Sequence, residues 1–150
     1  MDVHETINDI LVNLFNEIWK LEEDAIITEE FKDITNNDMH IIEAIGLSGK
    51  NTMSAVAKKM GITAGSLTTA VNGLVNKKYA VRLRSSQDRR VVFVQLTEKG
   101  IRAYEHHGEY HRQMTEAVIN KLDENEIPVL VKTLNGLSDF FRGYKGESGS

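Results

Sequence analysis

Between Thr52 and Leu96 the hydrophobic period changes once, from a helical repeat to an alternating one, and few folds accommodate that order in so short a stretch. Thr52 is placed to cap a short helix running to about Met60, with Val56, Ala57 and Met60 turned inward. Gly61 and Ile62 follow, then Thr63 as a second cap, and the next helix carries Leu67, Val71, Leu74 and Val75 inward before ending near Lys78. Two short helices joined by a tight glycine-containing turn predict a helix-turn-helix, a pattern that any small helical hairpin could also produce. The period then drops to two. Val81 and Leu83 alternate with Arg82 and Arg84, and after the polar run 85–90 the residues Val92, Val94 and Leu96 alternate again. That pattern predicts a β-hairpin with a cationic tip. The expected fold is therefore mainly α with a small β-hairpin wing: a winged helix-turn-helix.

The flanks are helical. Ile7, Ile10, Leu11, Leu14, Ile18 and Leu21 recur at spacings of three and four, with Phe15 and Trp19 beside them, and predict an amphipathic helix over 7–21. Residues 25–34 are a broken connector. Thr35 with Asp38 three residues on forms a capping-box pattern before Met39, Ile42 and Ile45, and Gly46 and Gly49 end that helix. Thr97 caps a long helix to about Leu122. A last helix holds Leu130, Leu134, Leu137 and Phe141; its cap is either Asp123, paired with Glu126, or Asn125, which would put Pro128 nearer the first turn. The glycines and serines of 143–150 suggest a frayed end. The expected organisation is a dimerisation helix and connector at 1–34, a DNA-binding region at 35–98, dimerisation helices at 99–145 and a flexible tail at 146–150. The apolar stripes of the first and last helices exceed the needs of one small core, which predicts a homodimer.

Charge supplies the first functional clue. The chain of 150 residues has a net charge of −4, but the sign is segregated. Residues 1–50 carry three basic and twelve acidic side chains, residues 51–100 nine and two, and residues 101–150 six and eight. A basic middle third between acidic flanks suits a reader of polyanions mounted on a scaffold that does not read. The absence of cysteine excludes disulfides, thiolate zinc sites and cysteine nucleophiles, and fits a cytoplasmic setting. No apolar run approaches the ~20 residues that span a bilayer, and the acidic start (Asp2, Glu5, Asp9) is unlike a secretory signal, so no membrane association is expected.

The second short helix offers Ser66, Thr68, Thr69, Asn72 and Asn76 outward, with Thr63 at its start and Lys77 and Lys78 at its end. Short hydroxyls and amides suit base edges and phosphates in a major groove. Gly65 and Gly73 each cost about 1 kcal/mol against alanine in a helix. Gly65 leaves room where a side chain would obstruct DNA; Gly73 serves either that end or close helix packing. At the hairpin tip an arginine can enter a narrow minor groove, and a carboxylate two residues away can hold it. Arg82, Arg84, Asp88, Arg89 and Arg90 are the wing candidates.

The stretch 82–92, Arg-Leu-Arg-Ser-Ser-Gln-Asp-Arg-Arg-Val-Val, continuing to Leu96-Thr97-Glu98-Lys99-Gly100, resembles the wing of MarR-type winged-helix regulators. The resemblance extends to helix order over nearly the whole chain. It implies a transcriptional repressor acting on a pseudo-palindromic double-stranded operator, with Asp88 and Arg90 as the wing pair. Phe31-Lys32-Asp33-Ile34, Met39-His40, Leu67-Thr68-Thr69 and Gln87–Val92 are further similar to the subgroup that represses fatty-acid synthesis genes, called FabT. That likeness implies acyl-loaded acyl carrier protein as corepressor.

Two effector readings follow. An acyl chain calls for an apolar tunnel, expected to be lined by some of Leu14, Ile18, Ile42, Ile45 and Tyr104 with His107 and His111 near the reader. The acidic carrier would dock on Lys77, Lys78, Arg82 or Arg102. Alternatively His107 and His111, one helical turn apart, could join His40 and Glu23 in a zinc site. A polar histidine cluster at a junction is the plainer account of the same residues. No phosphate-cradling glycine loop, nucleophile elbow or His-Glu-x-x-His is present, so no enzyme is expected. A protein-interaction module without DNA function would leave the basic middle third unexplained.

Overall fold

The structure, a computed structural model, describes residues 2–148, with side chains for residues 2–144. Helix α1 (Val3–Asp9) runs through a π-helical turn (Ile10–Leu14) into α2 (Phe15–Ile26). The first helical stretch is thus longer than the apolar spacing predicts at both ends. Its start is fixed by a capping box: Asp2 accepts from the Glu5 N–H, and Glu5 accepts from the Asp2 N–H. The π turn inserts one residue's worth of rotation, so the apolar stripe changes phase near Leu14.

Helix α3 (Asn36–Ile45) begins at the expected box, in which the Thr35 hydroxyl accepts from the Asp38 N–H and the Asp38 carboxylate from the Thr35 N–H. Helix α4 (Met53–Met60) is capped by Thr52, and α5 (Ala64–Asn76) by Thr63. Between them Gly61 adopts the left-handed conformation (φ 67°) that closes the turn. Strands β1 (Ala80–Arg84) and β2 (Val92–Leu96) pair antiparallel, with Ala80 opposite Leu96 and Arg84 opposite Val92. The hairpin is pinned to the helices where the Val94 N–H donates to the Asn51 carbonyl (2.9 Å) and the Asn51 amide donates to the Ile45 carbonyl. One difference stands out. Val81 and Leu83 are exposed together with Arg82 and Arg84, so the alternation in β1 marks no buried face beyond Ala80.

Ile42, Ile45, Leu67, Val71, Leu74, Tyr79 and Val94 are wholly buried and form one core with Ile26, Phe31, Ile34 and Ala103. Helix α6 (Glu98–Asn120) starts under the Thr97 hydroxyl, which accepts from the Gly100 N–H. Helix α7 (Glu126–Ser148) starts under Asp123: its carboxylate accepts from the Asn125 and Glu126 N–H groups, and Glu126 accepts from the Asp123 N–H. The Asp123 alternative is therefore the one realised. Helix α7 continues past Gly143 to Ser148, so the expected fraying does not begin at that glycine; Gly149 and Ser150, the end of the expected flexible tail, lie outside the described residues. The chain divides into two compact units, Met1–Glu109 and Tyr110–Ser150, a boundary inside α6 rather than at its start. No helix of the described residues is long and apolar enough to cross a membrane.

Candidate nucleic-acid interface

The exposed face of α5 is set by its cap. The Thr63 hydroxyl accepts from the Ser66 N–H and lies 2.9 Å from the Ser66 hydroxyl, which fixes where the helix begins. Leu67, Val71 and Leu74 then turn into the core, so Ser66, Thr69, Asn72 and Asn76 must face out. The Thr68 hydroxyl donates to the Ala64 carbonyl and the Thr69 hydroxyl to the Gly65 carbonyl, which commits both protons to the helix and leaves oxygen lone pairs and methyl groups outward. A Cβ built on Gly65 or Gly73 meets nothing within 4 Å. Packing against this chain therefore explains neither glycine, and both widen an open helix face.

The wing tip is wound by short-range bonds. The Ser85 hydroxyl accepts from the Gln87 and Asp88 N–H groups, and Asp88 accepts from the Arg90 N–H. The Arg90 guanidinium forks onto the same carboxylate at 3.1 and 3.0 Å while remaining 91% exposed. The fork holds the Asp88 carboxyl below its ordinary range and raises the guanidinium in turn. An exposed arginine forked onto its own neighbour is a cation whose side-chain freedom is already reduced. Arg84 donates to the Arg89 carbonyl, which stiffens the tip; the Arg89 side chain itself is exposed. Between wing and helices lies an open hollow of about 460 Å³, lined among others by Thr52, Ser54, Thr68, Arg82, Arg90 and Val92.

Not every expected contact faces outward. The Lys77 ammonium is paired with Asp38 at 2.9 Å and is about two-thirds buried, so it ties the end of α5 to the start of α3. Arg82 donates to the Asn72 side chain and Arg102 to Glu30. Lys78 is exposed, in a left-handed conformation (φ 71°) at the end of α5. Sequence reasoning missed Tyr79, whose buried hydroxyl donates to Asp33 at 2.7 Å while Lys99 lies over its ring. Burial, with the carboxylate, pushes the phenol up; the hydrogen bond from Tyr79 holds Asp33 below its ordinary value.

The effector candidates differ in burial. Ile42 and Ile45 are sealed inside the core, whereas Leu14 is exposed beside a polar groove with Asp9 and Lys20. Of the residues expected to line the tunnel, the two α3 isoleucines are thus taken up by the reader core. Ile18 is half-buried, and Tyr104 packs partly buried against that core. His107 is buried, with its Nε2 at 3.1 Å from Glu22 and 2.7 Å from Glu43. The carboxylates that meet it are Glu22 and Glu43, while the Glu23 expected from sequence is exposed. His40 stacks on Trp19, and its Nδ1 lies 3.8 Å from Glu43. His111 packs edge-on against Tyr110 in the second unit.

A family model described as the MarR family matches residues 32–91, from the connector to the wing. The chain is 39% identical to Streptococcus pneumoniae FabT, solved in complex with DNA, with a TM-score of 0.87 over 95% of this chain and 99% of that one. It is 29% identical over 125 residues to an uncharacterized HTH-type transcriptional regulator of Bacillus subtilis, YhbI, covering 83% of this chain and 80% of that protein. A Staphylococcus aureus MepR–DNA complex shares the fold at a TM-score of 0.66 and 23% identity, over 84% of this chain and 94% of that one.

Proposed function

Because the chain belongs to the MarR family of winged-helix, DNA-binding transcriptional regulators, which are not enzymes, we propose the finer reading that it is a dimeric repressor of fatty-acid synthesis genes with acyl-loaded acyl carrier protein as corepressor. The observation that carries this is the 39% identity to FabT across almost the full length of both chains. On this reading two copies present two α5 helices and two wings to half-sites of a pseudo-palindrome, spaced by about one helical turn of DNA or a multiple of it. Thr63, Ser66, Thr68, Thr69, Asn72 and Asn76 serve the major groove, and Arg84, Arg89 and Arg90 the wing contacts. The exposed apolar residues of α1, the π turn and α7 supply the dimer interface, Leu134, Leu137 and Phe141 among them.

An acyl chain needs apolar surface, and each buried methylene would contribute about 0.8 kcal/mol. With Ile42 and Ile45 sealed, that surface lies on the terminal helices. The acidic carrier is drawn to cations, and Lys78 suits this better than Lys77 or Arg102, whose charges are paired with Asp38 and Glu30; Arg82, bonded to the neutral Asn72 amide, keeps its charge. The test is operator binding titrated with long-chain acyl carrier protein, with the unacylated carrier and with zinc. Tightening that grows with chain length and ignores chelator is the expected result.

A zinc-responsive repressor is the second reading, and buried His107 between Glu22 and Glu43 favours it. These separations are those of hydrogen bonds; two ligands of one tetrahedral zinc would stand roughly 3.3 Å apart, given metal–ligand bonds of about 2.0–2.1 Å. Tightening by zinc alone, lost in His107→Ala, would replace the acyl reading with this one.

A further inference from the structure

The contact between Arg82 and Asn72 has a consequence for what the helix can read. Asn72 lies on the outward face of α5, three residues after Thr69 and four before Asn76. Arg82 comes from β1, where it stands opposite Val94, and its Nη1 donates to Asn72 Oδ1 at 2.5 Å. A guanidinium has five donors and no acceptor, so the amide can meet it only through its oxygen. The orientation of Asn72 is thereby fixed chemically: oxygen toward the wing, Nδ2 with both hydrogens away from it. Among the described residues Nδ2 has no partner. Both side chains are exposed, and the neighbouring Gly73 leaves open space beside them.

An asparagine with both ends free reads adenine, accepting from N6 and donating to N7. One whose oxygen already accepts from a guanidinium keeps a second lone pair, but as a weaker acceptor held toward the wing, while both Nδ2 hydrogens stay free; this favours the two acceptors of guanine or the O4 of thymine. The geometry points to Arg82 as a specificity-determining residue that acts through Asn72, turning its oxygen toward the wing and biasing it from adenine toward guanine or thymine edges. Arg82 is a positioning residue on this account, with one of its five donors committed to Asn72. The inference rests on the DNA-binding reading of α5.

The test is selection of duplexes from a randomised pool by the intact wild-type dimer, Arg82→Ala, Asn72→Ala and the double variant, with the salt dependence of each measured on the selected operator. The wild type is expected to favour guanine or thymine over adenine by about tenfold at one position in each half-site. Arg82→Ala should raise adenine there to parity or above while leaving the salt slope near the wild-type value. Asn72→Ala should abolish the preference, and the double variant should match Asn72→Ala. An unchanged base profile in Arg82→Ala, with the slope of log K against log salt reduced by about 0.9, would make Arg82 a phosphate contact and overturn the inference. Failure of the wild type to select any duplex would instead overturn the reading of α5 on which it rests, and the inference with it.

Discussion

The DNA-reading segment and the terminal helices hold similar aliphatic side chains and dispose of them in opposite ways. In the reader, Ile42, Ile45, Leu67, Val71 and Leu74 have no exposed surface, while Val129, Val131, Leu134, Phe140 and Phe141 of α7 are 48–63% exposed. The reader closes its own core, using α3, α4, α5, the hairpin and the start of α6. The apolar stripe of α7 is exposed, and in the proposed dimer a second copy covers it. The first region carries its stability within the chain; on the proposed reading the second gains stability from the dimer.

The largest expected effect tests the first half of that contrast. Ile42→Ala should destabilise the chain by about 4 kcal/mol in denaturant titration, because a sealed site leaves a cavity. A loss below about 1 kcal/mol would mean that the reader core is not closed. The second prediction addresses the other half. Leu134→Asp combined with Phe141→Asp should weaken dimerisation by about a hundredfold or more, seen by sedimentation, while the reader stays folded. An unaltered mass at low protein concentration would show that α7 is not the interface.

Local and distant features differ in how far the sequence reveals them. The caps at Thr35, Thr52, Thr63 and Thr97 were legible because a hydroxyl meets an N–H three residues on, a distance counted along the chain. The Asp88–Arg90 fork, two residues apart, was legible for the same reason. The Asp33–Tyr79 bond spans 46 residues and the Lys77–Asp38 pair 39, and neither has any local signature. Sequence alone therefore does not show that Lys77 pairs with Asp38, nor that His107 meets Glu22 and Glu43 rather than Glu23. Helical periodicity says that Ile42 and Ile45 face inward, but not that they pack into the reader core.

Next in size is the wing. Arg90→Ala should weaken operator binding about tenfold and reduce the salt slope by about 0.9, with thermal stability unchanged, because the side chain is exposed. If A·T preference beneath the wing also falls, the arginine lies in the minor groove. Equal affinity and slope in the variant would exclude the wing from binding.

Tyr79→Phe tests whether the reader core depends on its polar anchor, and should cost about 1 kcal/mol at neutral pH. Asp33 has a lowered folded-state value, so its contribution is present above its ordinary pKa of 3.8 and is lost as pH falls through the lower folded one. The wild type should accordingly lose stability below about pH 4 by an amount that Tyr79→Phe does not show. Parallel stability curves for the two proteins would remove the hydrogen bond from the account.

The smallest expected effect sets stability against function inside the reader. Helix α5 ends in a pair of closing bonds, from the Lys78 N–H to the Val75 carbonyl and from the Tyr79 N–H to the Leu74 carbonyl. That arrangement places Lys78 in the left-handed region, where glycine is usual and a side chain costs about 1 kcal/mol. Lys78→Gly removes that strain but adds freedom to the unfolded chain, so the net gain should be only about 0.5 kcal/mol in denaturant titration. The same substitution removes an exposed cation at the end of the reading helix. If Lys78 meets a phosphate, the salt slope should fall by about 0.9 while the protein becomes slightly more stable. The two readouts would then move in opposite directions, the signature of a residue held in a strained conformation for binding. A gain in stability with an unchanged slope, and unchanged response to acyl carrier protein, would mean that the strain at Lys78 has no functional return.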